Sequence, residues 1–232
     1  MKKISLRFRD NKYKFYLAGL LVAASFISLI LGVTQHYVSD SDTYPFLLFN
    51  LSLAWIPFIA AVLAYTSMVN KVTFFLVMPI STLAWLMFFP NAPYLLTDFQ
   101  HLTTTSRESL IWFDVIVLVW VAWTGLLLGM ASLYLMQEIV TITFNRVAGW
   151  IFAVGATILS SIGVYLGRFL RWNSWDILQD PLPIAKDMAG IVRHPFSNLS
   201  TYVFTILFTL LILFIYVAFH IFGYMVRERR DD

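Results

Sequence analysis

LIWFDVIVLVWVAWTGLLLGMASLYLM, residues 110–136, is an apolar run with a single charged side chain, that of Asp114. A helix needs about 20 apolar residues to cross the hydrocarbon core of a membrane. The run is long enough and therefore predicts a transmembrane helix. Because a carboxylate near mid-bilayer costs ~2.5–3.5 kcal/mol on insertion scales, Asp114 is predicted to face the protein interior and to need a partner there.

Five more apolar runs accompany this one along the chain. The six predicted spans cover residues 16–34, 45–65, 73–89, 110–136, 147–167 and 199–225. The composition agrees, since 59% of the residues are hydrophobic and 12% are charged, whereas soluble domains carry about 25% charged residues. The sequence thus predicts an all-α fold, a polytopic membrane bundle of six transmembrane helices that forms a single transmembrane domain over residues 1–232.

The distribution of positive charge predicts the orientation. Eleven Lys and Arg residues fall on one side of the six spans and five on the other. Short cytoplasmic segments are the ones enriched in these residues, so both termini are predicted to be cytoplasmic, in the cell membrane. The two long connections, about 90–109 and 168–198, then lie outside. The net charge of +3 does not indicate nucleic-acid binding, because it is concentrated at helix ends.

The first long connection begins with the sequence FPNAPYLLTDFQH, residues 89–101. Its two prolines lack amide donors and are predicted to end the third helix. The residues after them are predicted to form a short helix at the interface, on which Asp98 and His101 share one face. These two residues are candidates for a catalytic acid–base pair, and Asn91 is a candidate for ligand binding. Alternatively, Asn91 and Asp98 cap the ends of a broken helix.

The second connection begins with GRFLRWNSWD, residues 167–176. Arg168 and Arg171 lie one turn apart and point to the same side if the helix continues that far. Arginine presents a planar fork that suits carboxylate or phosphate groups. These two arginines, with Asn173 and Asp176, are therefore candidates for binding an anion. The alternative is that the arginines only reach for the membrane interface beside two tryptophans.

Two small-xxx-small patterns predict a helix contact. GLLLG at 125–129 and GVYLG at 163–167 would allow close approach of the fourth and fifth spans. Such a contact would bring the end of the fifth span into the bundle. On depth alone, Arg168 and Arg171 are then candidate partners for Asp114, which is also a candidate for ligand binding.

The remainder of the second connection predicts a short amphipathic helix. Apolar residues at 184, 188, 191 and 192 repeat at helical spacing. The helix is expected to lie on the outer leaflet, either as a lid over the arginines or as a passive cover. Metal ligands of the right type occur at Asp98, His101, Asp176 and His194, but no spacing indicates a metal site, and no cofactor is predicted. The absence of cysteine excludes thiolate chemistry.

FPNAPYLLTDFQHL and GRFLRWNSWD together resemble the signatures of a family of small bacterial membrane proteins catalogued as Domain of Unknown Function 1361. The resemblance covers most of the chain. It implies a polytopic bacterial membrane protein and carries no assigned activity or catalytic residue.

The polar candidates all map to the predicted outer half of the bundle. This one-sidedness favours an outer site at which Arg168 and Arg171 bind an anionic group of a lipid or of an envelope precursor, in a binding or accessory role. The expected partners are membrane lipids, an anionic lipid-linked ligand and an envelope-pathway protein. Two alternatives stay open: an outward-facing membrane enzyme that uses Asp98 and His101, and a transporter subunit.

Overall fold

A computed structural model describes residues 12–39, 44–104 and 111–231 of the chain. Side chains are described for residues 16–37, 46–100, 102 and 111–223. The helices, in chain order, are α1 (Lys12–Ser39), α2 (Tyr44–Ser67), α3 (Lys71–Phe88), α4 (Asn91–Tyr94), a first 3-10 helix (Leu95–Thr104), α5 (Ile111–Thr143), α6 (Arg146–Phe169), α7 (Asp176–Gln179), α8 (Pro181–Arg193), a second 3-10 helix (Pro195–Asn198) and α9 (Leu199–Asp231). The described residues contain no strand, which confirms the all-α prediction.

Six segments of the described chain are long and apolar enough to cross a membrane. They are Tyr16–Tyr37, Phe46–Ser67, Lys71–Gln100, Ile111–Thr143, Arg146–Phe169 and Pro195–Gly223. Each contains most or all of one predicted span, so the chain is a multi-pass membrane protein with six candidate spans. The side of the membrane on which the termini lie stays a prediction.

The third span differs from its prediction, because the helical path continues beyond Pro90. The last regular bond of α3 runs from the Phe89 amide to the Trp85 carbonyl. Residues 90 and 95 keep right-handed helical backbone angles on either side of α4, and the first 3-10 helix follows at once. The two prolines therefore interrupt the hydrogen-bond ladder without turning the chain outward. A short helix was predicted after them within the outer connection, and in the structure residues 91–104 are all helical.

Two compact units make up the chain, Met1–Gly149 and Trp150–Asp232. In the first unit, α5 packs against α1, α2, α4 and the first 3-10 helix, while α3 packs against α2. The buried apolar core of this unit comprises Leu21, Leu47, Leu51, Ala54, Ala92, Leu95, Val117, Leu118, Val121, Ala122 and Leu128. The span predicted over residues 110–136 is thus the central helix of this unit.

The two glycines of GLLLG on α5 provide the surface against which the chain after α3 packs. A Cβ atom at Gly125 would stand 2.2 Å from a Leu95 methyl group and 3.2 Å from the Ala92 carbonyl oxygen. A Cβ atom at Gly129 would stand 2.9 Å from the Ala92 Cβ. This face was predicted to contact the fifth span, whereas in the structure the Ala92–Leu95 segment covers it.

In the second unit, α6 and α9 are joined by a buried hydrogen bond and by ring contacts, one tilted and one edge-to-face. The Thr209 hydroxyl donates to the Ser161 hydroxyl at 2.9 Å. Nearer the end of α6, the Phe204 ring packs against Tyr165 and Phe169, with ring centres 5.9 and 5.2 Å apart. These contacts bring the end of α6 beside the start of α9.

Candidate functional site

The predicted site residues fall into two groups, one in each unit. The first unit holds Asn91, Asp98, His101 and Asp114, and the second holds Arg168, Arg171, Asn173 and Asp176. The backbone of residue 101 belongs to the first 3-10 helix. The side chain of His101 lies outside the described residues, so the predicted pairing of Asp98 with His101 stays a prediction.

Asp114 is fully buried and its partner is Gln35. The Gln35 side-chain amide donates from Nε2 to Oδ1 of Asp114, and both residues have no exposed surface. The second carboxylate oxygen of Asp114 has no hydrogen-bond partner among the described residues. The structure thus provides a neutral amide where Arg168 or Arg171 had been expected. The amide removes part of the cost of burying the carboxylate, because it satisfies one oxygen.

Helix periodicity places this pair in the interior. Leu21, Ser28 and Gln35 are seven residues apart and buried, so they form one face of α1. On α5, Asp114 is followed at helical spacing by buried Val117, Leu118 and Val121. The two polar groups therefore meet where the buried faces of α1 and α5 pack together.

Asp98 is also fully buried, although its segment was predicted to lie at the interface. Leu95 and Asp98 lie three residues apart in the first 3-10 helix and are both buried, as is Ala92 in α4. A 3-10 helix has three residues per turn, so side chains at this spacing lie in one row. The buried row is directed into the first unit and Gln100 is exposed. The repeat of three explains why a helix expected at the surface buries its carboxylate.

Asn91 closes the gap in the ladder of α3. Its side-chain nitrogen donates to the Phe88 carbonyl at 3.1 Å. The Ala92 amide, which a continuous helix would direct to that carbonyl, bonds to Phe89 at 3.2 Å instead. This contact favours the capping alternative for Asn91 over ligand binding.

The arginines of GRFLRWNSWD are not one helical turn apart in the structure, because α6 ends at Phe169. Arg171 adopts a left-handed backbone conformation with a φ of 61°. The Trp172 amide then donates to the Leu166 carbonyl at 3.1 Å and closes the helix end. Arg168 is half-buried and Arg171 is exposed. The shared helical face was predicted on the condition that the helix continues to Arg171, and this condition is not met.

Asn173 and Asp176 bind each other. The Asp176 carboxylate accepts the backbone amide of Asn173 at 2.6 Å and its side-chain amide at 3.2 Å. In return, the Asp176 amide donates to the Asn173 carbonyl at 3.0 Å. These bonds close a turn immediately before α7, whose N-cap residue is Trp175. Both residues therefore shape the loop that follows Arg171.

The predicted amphipathic helix is present as α8 and packs partly on its own unit. Ile184 is buried and Met188 half-buried, whereas Val192 is 67% exposed. Two hydrogen bonds attach α8 to its neighbours. The Trp172 indole donates to the Asp187 carboxylate at 2.9 Å, and the Tyr202 hydroxyl of α9 donates to the Ile191 carbonyl at 3.2 Å. The apolar face is thus used at least partly for protein contacts.

Three residues that the structure singles out were not among the predicted site residues: Gln35, Trp172 and Asp187. A signal existed for Gln35, since it directly follows the apolar run 16–34 and a glutamine side chain in a membrane helix forms hydrogen bonds across helices. The bond between Trp172 and Asp187 had no comparable signal, because both residues are ordinary at a membrane surface. No group of three or more His, Cys, Asp or Glu residues in the described part of the chain could hold a metal ion.

The helices and these polar groups define a class: an all-helical, multi-pass membrane protein with carboxylates buried in its spans. Residues 49–215 match the family described as "Protein of unknown function (DUF1361)". The chain belongs to this family. No curated protein and no solved structure matches the chain.

Proposed function

We propose that this membrane protein binds an anionic group at the loop between α6 and α8, on the extracytoplasmic side, in a binding or accessory role. The observation that carries the proposal is the backbone of Arg171. Non-glycine residues adopt positive φ uncommonly, at a cost of about 1–3 kcal/mol, and such residues cluster at functional sites. An exposed arginine at a position that favours glycine is consistent with selection for its guanidinium.

The charges of the loop support an anionic ligand. Two carboxylates of the same segment accept hydrogen bonds from other groups, Asp176 from Asn173 and Asp187 from the Trp172 indole. Arg171, Lys186 and Arg193 are all exposed. A guanidinium can bind a phosphate or carboxylate through two parallel hydrogen bonds. We therefore assign Arg171 the direct contact with the anion and Arg168 a supporting positive charge.

The apolar residues beside Arg171 indicate that the anion is attached to a lipid. Phe169 and Leu170 are exposed at 53% and 38% immediately before it. Leu178 and Leu182, beyond the loop, are also exposed. A soluble anion gains nothing from such neighbours, whereas a lipid phosphate places its chains against them. The proposed ligand is therefore a lipid or polyprenyl phosphate, or a lipid-linked envelope precursor.

The test measures binding of phosphatidic acid, in nanodiscs of phosphatidylcholine, to purified protein. Arg171→Ala is expected to weaken binding by about tenfold or more, the effect of losing a charge-assisted hydrogen bond of about 1.5–3 kcal/mol. Arg171→Lys should retain only part of the affinity for phosphatidic acid, because an ammonium group does not offer the planar pair of donors that a guanidinium does. The matched control is Arg193→Ala, which removes an exposed arginine elsewhere in the same segment. Equal binding by Arg171→Ala and the unchanged protein would refute the proposal.

A second arm separates lipid from free anion. Inorganic phosphate at the same concentration is expected to compete weakly with phosphatidic acid. Strong competition by free phosphate would support an anion site but contradict the proposal that the anion is attached to a lipid.

The buried carboxylates support a second candidate function, an outward-facing enzyme or a transporter subunit that handles protons. Ionisable residues inside a membrane span are functional candidates by default, and both Asp98 and Asp114 have no exposed surface. In this alternative, Asp98→Asn abolishes the cellular phenotype of the protein while phosphatidic acid binding is unchanged. Loss of phosphatidic acid binding in Asp98→Asn would instead show that Asp98 is needed for the anion site or for the stability of the protein.

A further inference from the structure

We propose that the hydrogen bond between Trp172 and Asp187 is a latch that holds α8 against the arginine loop and fixes the position of Arg171. This inference rests on the proposed anion site and deepens it. It assigns Trp172 and Asp187 the role of positioning residues, which act on the ligand through Arg171 without touching it.

The latch is part of a closed chain of contacts within the second unit. The Trp172 amide is tied to the last turn of α6 through the Leu166 carbonyl, at 3.1 Å. Its indole is tied to α8 through Asp187, at 2.9 Å. The far part of α8 is tied to α9 through Tyr202. The rings of Phe169 and Phe204 join α9 back to α6, so that α6, α8 and α9 are connected in a closed ring of contacts.

Among the residues that form these contacts, Arg171 and its neighbours follow the end of α6, and the backbone of Arg171 is left-handed. Its carbonyl shares a peptide group with the Trp172 amide, so the peptide plane after Arg171 is held by the bond to Leu166. The bond from the Trp172 indole to Asp187 additionally fixes the orientation of Trp172, the residue next to Arg171. Without the indole bond, the backbone bond to Leu166 would still tie Trp172 to α6, but its side chain would no longer be bonded to α8. The latch therefore acts on the direction of Arg171 more than on the stability of the bundle.

The two bonding groups are suited to this role. An indole has one donor and no acceptor, so Trp172 needs an oxygen and cannot exchange roles with its partner. Asp187 supplies that oxygen from the side of α8 next to Lys186. The bond is exposed, which makes it accessible to the membrane surface on which the proposed ligand would arrive.

Electrostatics alone predicts the opposite effect of removing Asp187. Deleting a negative charge near an anion site should strengthen binding, because it removes a repulsion. If the latch operates, the same deletion weakens binding, because Arg171 loses its fixed direction. The sign of the change therefore distinguishes the two accounts.

The experiment uses the full-length protein and the same phosphatidic acid nanodiscs. Asp187→Ala and Trp172→Phe each remove one partner and are expected to weaken binding roughly three- to tenfold, the effect of one side-chain hydrogen bond. Asp187→Asn retains an acceptor oxygen and is expected to stay within about twofold of the unchanged protein. The double variant should bind no more weakly than either single variant, since both remove the same bond.

Asp180→Ala is the matched control. Asp180 is an exposed carboxylate of the same segment whose side chain makes no capping hydrogen bond to α8. Its removal is expected to leave binding unchanged or slightly stronger. The thermal unfolding midpoint of each variant without ligand should stay close to that of the unchanged protein, which separates positioning from loss of fold.

The latch would be overturned by stronger binding in both Asp187→Ala and Asp187→Asn, by independent additive losses in the double variant, or by losses that follow the unfolding midpoint. If Arg171→Ala binds normally in the same assay, the proposed anion site itself fails. If Arg171→Ala loses binding while the latch variants retain it, only the positioning role fails.

Discussion

At the scale of single residues, Gln35 and Asp114 form a polar contact inside an apolar core. They are 79 residues apart in the chain and meet because each lies on the buried face of its own helix. Removing one partner leaves the other without its hydrogen bond in a region that water does not reach. Replacing one of the two residues is therefore expected to destabilise the protein more than replacing both with apolar residues.

We predict that Gln35→Leu destabilises the protein more than Asp114→Leu does. The first change leaves a carboxylate without its donor, and the second leaves only a neutral amide, at a cost of about 1–3 kcal/mol. The double variant should be less destabilised than the sum of the single changes. Unfolding in detergent measures all three, and strictly additive losses would show that the two side chains do not interact.

Arg171 supports a second prediction at this scale. Arg171→Gly removes the cost of a left-handed backbone, about 1 kcal/mol, and should raise the unfolding midpoint. Arg171→Ala retains that cost and should leave the midpoint near its original value. Both variants lack the guanidinium and should bind phosphatidic acid equally weakly. A glycine variant that is less stable than the alanine variant would contradict the assigned backbone conformation.

At the scale of elements, the packing of α5 against residues 92–95 explains why two prolines do not send the chain outward. The small surface at Gly125 and Gly129 receives Leu95 and Ala92 at close range. The energy of this contact is available only if the chain continues along α5. The prolines thus mark a break in the hydrogen bonding of the third span and not its end.

We predict that Gly129→Ala costs about 1–3 kcal/mol, the range for overpacking a close contact. The new Cβ would stand 2.9 Å from the Cβ of Ala92, which cannot move without its backbone. Gly19→Ala is the control in the same unit, because a Cβ there meets no atom within 4 Å. It should be neutral or stabilising, since alanine favours helix by about 1 kcal/mol. Equal effects at the two positions would argue against the α5 contact.

At the scale of the whole molecule, the orientation in the membrane decides where the proposed site lies. The chain contains no native cysteine, so single cysteines report their accessibility without background. Ala185 lies in the connection after the fifth span, and Lys71 is the first residue of the third span. Both are exposed, and six spans assign the two positions to opposite sides.

We predict that a cysteine replacing Ala185 reacts with a membrane-impermeant thiol reagent added to intact cells. A cysteine replacing Lys71 should react only after the membrane is permeabilised. The reverse pattern would place the arginine loop on the cytoplasmic side and exclude an outer site. Reaction of both cysteines in intact cells would contradict the assignment of the two positions to opposite sides.

Hydropathy and span length could be determined from the sequence, because they depend on composition within about 20 residues. That is why the six spans, the all-α class and the amphipathic α8 were predicted correctly. The burial of Asp114 followed from the same argument, since a lone charge in an apolar run has to face protein.

Only the tertiary structure decided which partners these residues have. Gln35 for Asp114, Ala92 and Leu95 for the α5 glycines, and Asp187 for Trp172 each depend on how helices are rotated and how far they extend. A sequence pattern specifies a face but not the neighbour that covers it. The left-handed backbone of Arg171 belongs to the same group, because it depends on where α6 ends and on the bonds that close that end.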